Sequence, residues 1–127
     1  MNESSISKVQ PVRHLVLDKM EAKQINPMII RRMASGENGT FGYFEMKKGA
    51  VVPLHQHANE QYSFILKGSA RATIGDTVYT IKIGEALLIP SGIPHFFEFP
   101  EDTIALDFFA PRREDWINGT DNYFNKV

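Results

Sequence analysis

The chain contains no cysteine, which excludes disulfides, thiolate zinc sites and cysteine nucleophiles. It has no apolar run long enough to span a bilayer, and its opening MNESSISKVQ lacks the basic-then-apolar order of a signal peptide. A soluble, cytoplasmic protein with no membrane partner is the expectation. A dominant charge is also missing: 14 Lys and Arg stand against 15 Asp and Glu, a formal net charge of −1, with no long run of either sign. Nucleic acid is therefore not an expected partner, and a small molecule is. What is present, 127 residues with 43% apolar and 23% charged side chains, is enough for one globular domain spanning 1–127. Asn38-Gly39-Thr40 and Asn118-Gly119-Thr120 fit the glycosylation pattern, but without a secretion signal both read as Asn-Gly turns.

Long helical periodicity is absent as well. Residues 1–12 are polar and read as a loose segment, and Asp18 to Gln24 admits at most a helical turn. From Met28 the composition shifts to short runs rich in Val, Ile, Phe, Tyr and Thr, separated by Gly, Pro and Asn: IIRRM, FGYFEMK, YSFILK, ARATI, TVYTIKI, EALLIP, HFFEF and TIALDFF. Closely spaced short strands of this kind predict an all-β antiparallel sandwich or barrel. Gly75-Asp76 between ARATI and TVYTI predicts a two-residue hairpin turn. After Phe109 the pattern stops, and Arg113 to Ile117 predicts one short helical turn before an irregular tail.

Of four histidines, three fall in two strand-like contexts: His55 and His57 at one edge of YSFILK, and His95 opening HFFEF. Side chains alternate along a strand, so a regular strand puts His55, His57 and Gln61 on one face and Glu60 on the other. A β-bulge near Ala58 or Asn59 reverses that choice and presents Glu60. An isolated His-x-His pair is as compatible with two hydrogen-bonded structural histidines as with a metal site, but His95 adds a third imidazole. Three imidazoles and one oxygen donor leave coordination positions of a transition metal open to substrate or water.

Gly49, His55, His57, Gln61 and Gly68 stand in the spacing of the first cupin motif, and Gly84, Pro90, Gly92 and His95 in that of the second. The chain thus resembles the cupins over a motif core of residues 49–95. Gln61 stands where most cupins have Glu, and Phe99 where the second motif ends in Asn. The resemblance implies a double-stranded β-helix, a jelly-roll-like barrel, with His55, His57, Gln61 and His95 converging on one divalent transition metal, with Ni, Zn, Fe and Mn all compatible. Gln in place of Glu leaves the ion its full positive charge, which strengthens it as a Lewis acid and mildly favours non-redox chemistry.

A second group lies in TIALDFF and the residues after it, where Asp107 and Phe109 share a face and Arg112 and Arg113 follow. Read alone, this is a structural ion pair beside a core phenylalanine. Yet Leu106 to Trp116, LDFFAPRREDW, resembles a segment of the KdgF-type cupins, which linearise 4,5-unsaturated uronate monosaccharides. The resemblance implies that Asp107 moves protons, Phe109 lines the pocket and Arg113 engages the substrate, with Arg112 offering the same chemistry one residue away. Tyr43, Glu45 and Arg71 are further candidates for lining the barrel. The function so implied is metal-dependent, non-oxidative opening of an unsaturated uronate to a linear keto-uronate; the alternatives are an Fe(II) dioxygenase and a non-catalytic metal- or sugar-binding cupin. An unshielded strand at IIRRM, free to join a partner's sheet, predicts a homodimer.

Overall fold

Along Thr40–Met46, TFGYFEM, every second residue is buried, as a pleated strand with one face on a core requires. In the computed structural model, which describes residues 11–121, this rule organises ten strands. They are β1 (Lys23–Asn26), β2 (Ile29–Ser35), β3 (Thr40–Met46), β4 (Val51–His55), β5 (Glu60–Lys67), β6 (Ser69–Ile74), β7 (Thr77–Lys82), β8 (Ala86–Ile89), β9 (His95–Glu98) and β10 (Thr103–Ala110). A 3-10 turn at Leu17–Lys19 precedes them and a short helix, α1 (Glu114–Asn118), follows. The strands form two antiparallel sheets, one ordered β1-β2-β3-β10-β5-β8 and the other β4-β9-β6-β7. Their inner faces supply Ile29, Phe44, Met46, Ile65 and Ala105 from the larger sheet and Ala70, Ala72, Ile81 and Phe97 from the smaller. The all-β reading holds, with the short helix where one helical turn is expected.

All eight runs read as strands are strands, and two more appear. β1 lies partly in the stretch read as a helical turn; of that stretch only Asp18 and Lys19 belong to the 3-10 turn. Its sequence KQIN has little strand propensity, and pairing with β2 supplies what propensity does not. That pairing also covers IIRRM, so the edge strand from which a homodimer was argued is an interior strand of the sheet. β4 was hidden by Pro53, ordinarily a strand breaker. The register against β9 slips between Val52, opposite Phe97, and His55, opposite His95, and a bulge is where a strand tolerates proline.

Turns obey local chemistry. Gly75, with φ of +58°, is the first central residue of the β6–β7 hairpin, the position where a type II′ turn takes glycine. Gly68 adopts φ of +84°, and a Cβ there would lie 2.4 Å from the Asp102 carbonyl oxygen. Asn38 and Gly39 lie in the β2–β3 hairpin, whereas Asn118-Gly119 ends α1, with Gly119 in the left-handed region. Among the described residues no helix is long and apolar enough to cross a membrane. The predicted loose segment falls on residues 1–12, of which 1–10 lie outside the described residues.

The chain after β10 packs into one end of the larger sheet through Trp116, which is 5% exposed. Its ring meets Phe109 edge-on at 4.9 Å and Phe44 at 5.8 Å, and the Arg31 guanidinium lies 4.2 Å over it. Arg31 in turn pairs with Asp121 at 2.8 Å, both side chains being buried. Gly42 keeps this space open, since a Cβ there would sit 2.9 Å from the indole. Trp116→Ala should lower stability by about 3 to 5 kcal/mol, the usual result of emptying a large buried aromatic site. Urea unfolding measures it, and a loss below about 1 kcal/mol would show that α1 packs only loosely.

Candidate metal centre

His55 ends β4 and faces His95, which opens β9; the bulge at Pro53 and Leu54 sets that register. His57 lies in the β4–β5 connection rather than in a strand. Its position is fixed by neighbours: Gly92 N–H donates to the His57 carbonyl at 2.9 Å, the Ser91 hydroxyl donates to the Ala58 carbonyl at 2.6 Å, and the Asn59 amide donates to the Pro111 carbonyl. The loop carrying Gly92 thus both leads into His95 and anchors the loop carrying His57. Ring centroids are 4.4 Å apart for His55 and His95, 5.0 Å for His57 and His95, and 5.4 Å for His55 and His57. One nitrogen from each ring lies within 4.8 Å of the others.

The three rings share a second feature. Each Nδ1 sits against a backbone carbonyl two residues away: His55 on Pro53 at 2.7 Å, His57 on Asn59 at 3.0 Å and His95 on Ile93 at 2.8 Å. A carbonyl oxygen can only accept, so each Nδ1 carries the proton and each Nε2 keeps a lone pair. Protonation there is suppressed. Burial, with the neighbouring His95, takes His55 down to about 3; burial and the Arg113 charge take His57 down to about 4; and burial lowers His95.

Gln61 comes from the opposite sheet, 4% exposed, with Oε1 3.0 Å from His57 Nε2. Two acceptors therefore face each other, and His95 Nε2 is buried without a hydrogen-bond partner. Buried lone pairs without donors are costly, and a cation satisfies all of them together. The donor set fits a divalent transition metal: His55, His57 and His95 form a group able to hold one, and the Gln61 oxygen lies beside it. Glu60 stays outside this group, on the opposite face of β5 with Tyr62, whose hydroxyl it engages. Gln61 faces the histidines, but not through the single regular strand on which the face reading relied. No continuous strand links His57 to Gln61, and the bulge lies upstream of the histidines, so alternation inside β5 alone turns Gln61, Ser63 and Ile65 inward.

Asp107 and Phe109 point inward with Ala105 from β10, the strand lying between β3 and β5. His55, Gln61, Ser63, Asp107 and Arg113 are the polar lining of an otherwise apolar cavity. Its volume is about 30 Å³. Burial pushes the Asp107 carboxyl up to about 7, against the opposing effects of a Ser63 hydrogen bond and the Arg113 charge. Phe109 packs edge-on against His57 at 5.5 Å.

Arg113, 1% exposed, lies 4.7 Å over both Phe109 and Trp116. Asp115 holds it with two hydrogen bonds of 2.9 and 2.8 Å. Arg112 instead pairs with Glu114 at the surface. Tyr43 and Glu45 lie on the outer face of β3, and Arg71 is exposed beside Glu98, so these three do not line the cavity. Sequence reasoning missed Ser63, which alternation from Gln61 identifies once β5 is known to start at Glu60.

Purified protein should carry near-stoichiometric metal, lose it on His57→Ala or His95→Ala, bind it about tenfold more weakly on Gln61→Ala, and keep it on Glu60→Ala. Elemental analysis decides, and loss on Glu60→Ala instead would reverse the assignment. Because the folded-state imidazoles titrate below their ordinary 6.5, their contribution to stability is complete above about pH 6.5 and is lost as the pH falls through about 4 and then 3. Thermal unfolding of metal-free protein should show this loss between pH 6.5 and about 3, and His55→Gln/His57→Gln should flatten it.

Residues 42–110 match the family described as the cupin domain. The fold is similar to the structure of KdgF from Halomonas sp., with a TM-score of 0.74 and 24% identity over 80% of this chain and 96% of that one. It is equally similar to an RmlC-like cupin from Shewanella frigidimarina, with a TM-score of 0.77 and 22% identity over 84% and 97% of the two chains. In sequence the chain is 30% identical to oxalate decarboxylase OxdC of Bacillus subtilis over 78 residues, which is 58% of this chain and 20% of that enzyme; the Bacillus subtilis oxalate decarboxylase has Mn(II) centres. With the family match covering more than half of its length and the two-sheet barrel around its histidines, the chain belongs to the cupin family.

Proposed function

We propose that this cupin is a metal-dependent, non-oxidative enzyme that opens an unsaturated uronate monosaccharide to its linear keto form. The observation that carries the proposal is the placement of the Asp107 carboxyl, poised near neutrality, in the same cavity wall as His55 and Gln61. The resemblance of Leu106 to Trp116 to the KdgF-type cupins supplies the substrate class, and the likeness in fold to KdgF is consistent with it.

The conversion is an isomerisation that needs no oxidant. A proton leaves the anomeric hydroxyl, the bond from that carbon to the ring oxygen breaks, and the aldehyde forms. The electron pair released to the ring oxygen gives an enolate, which takes a proton on the neighbouring carbon of the former double bond and becomes a ketone. A carboxyl that titrates near pH 7 can remove the first proton and return it to carbon, since both of its forms are populated at neutral pH. A divalent ion held by the histidines supplies a Lewis acid for a carboxylate or a developing oxyanion. Arg113 holds its charge at the cavity wall because Asp115 fixes its guanidinium and Phe109 and Trp116 flank it; that charge favours an anionic ligand. Phe109 contributes apolar surface beside His57. The cavity as it stands has room for the reacting end of such a ligand, and a whole sugar ring requires lining side chains to move.

Added protein should speed the loss of the ultraviolet absorbance of an unsaturated uronate, and Asp107→Ala should slow that loss by about 10²- to 10⁴-fold. An Asp107→Ala rate equal to that of the parent chain would sink the proposal.

A further inference from the structure

An amide ligand has a problem that a carboxylate does not: one of its two ends is an acceptor and the other a donor, and only the acceptor suits a cation. Something must decide which end of Gln61 faces the three imidazoles. Gln61 Nε2 donates to Ser63 Oγ at 2.9 Å, a contact buried from solvent. Ser63 is itself 2% exposed and directly opposite Asp107 in the β5–β10 register, so the two side chains leave the same face of neighbouring strands and the hydroxyl is placed to donate to the Asp107 carboxylate, whose pKa it lowers. A serine hydroxyl has one proton. With that proton given to the carboxylate, the oxygen has only lone pairs to offer Gln61, and the amide nitrogen must be the end that turns to it. The amide oxygen is then left facing His57 Nε2 at 3.0 Å.

We propose that Ser63 is a positioning residue, which by donating to Asp107 and accepting from Gln61 turns the amide oxygen of Gln61, and not its nitrogen, to the three histidines. It rests on the metal site formed by these histidines and Gln61, and is independent of the substrate. A rotated amide would place N–H groups where a cation belongs, and would satisfy His57 Nε2 by a hydrogen bond that competes with metal. Ser63 also joins the Asp107 side chain to the metal ligand through two hydrogen bonds, so the group assigned proton transfer and the group assigned metal binding are oriented by one hydroxyl.

The test uses Co²⁺ affinity, read from visible absorption as the ion is titrated into metal-stripped full-length chain, so it does not depend on turnover. Ser63→Ala should weaken Co²⁺ binding about tenfold, the lower end of what removing a group that orients a ligand usually costs. In a Gln61→Glu background both ends of the side chain are oxygens and no orientation is left to choose, so Ser63→Ala should there change affinity by less than about twofold. A serine that merely fills space would weaken both backgrounds alike, and that result overturns the proposal, as does an unchanged affinity in the parent chain. If the alanine variant does not fold, Ser63→Cys, of similar size but with a feeble acceptor, makes the same comparison with the same expected contrast. A parent chain that takes up no Co²⁺ overturns the metal site and the role of Ser63 with it, whereas Co²⁺ uptake without uronate turnover removes only the substrate assignment.

Discussion

Three backbone carbonyls, those of Pro53, Asn59 and Ile93, hold the Nδ1 protons of three imidazoles, and the rest of the site follows from that constraint. Three imidazole Nε2 atoms gathered in a largely apolar barrel are unstable company for one another, so the chain must bring them together by force of backbone geometry. The bulge in β4 does so for His55 and the clamped loop for His57, while the antiparallel register between β4 and β9 places His95 opposite His55. Each carbonyl is only two residues from the ring it orients, so tautomer and ring direction are set by local contacts.

Charge is distributed around this neutral centre with some care. Arg113, buried at the cavity wall, is matched by Asp115 rather than by the inward-facing carboxylate. Burial raises the Asp107 pKa, and the Ser63 hydroxyl and the Arg113 charge oppose that rise without cancelling it. Gln61 adds no charge. A divalent ion in such a site retains most of its field, and the nearest acid connected to it by hydrogen bonds is one hydroxyl away.

Much of this was legible from sequence because the informative residues are sparse and rigidly spaced. Glycines and prolines fix where strands turn, histidines are few, and alternation in Thr40–Met46 and Thr103–Ala110 reports burial directly. What was not legible depends on partners distant in the chain. Lys23–Asn26 is a strand because β2 offers it an edge, and Val51–His55 is one despite Pro53 because β9 accepts the slip. Trp116 has both the Arg31 and the Arg113 guanidinium over its ring, and Asp121 pairs with Arg31; no local pattern announces this. Ser63 was silent for the same reason, being a small polar residue whose meaning lies across the sheet in Asp107.

The order of the larger sheet has a consequence for biosynthesis. β10 lies between β3 and β5 and pairs with both along nearly its whole length, yet it follows both by many residues and emerges from the ribosome after every other described strand. Until Thr103–Ala110 arrives, β3 and β5 present two unpaired edges and the two halves of the sheet have nothing to join them. Pairings so distant in sequence are slow to form, and exposed strand edges invite association with other nascent chains. The strand that carries Asp107 is thus also the one whose late arrival completes the barrel, so vectorial synthesis keeps this buried carboxyl out of place until the remaining described strands have been made.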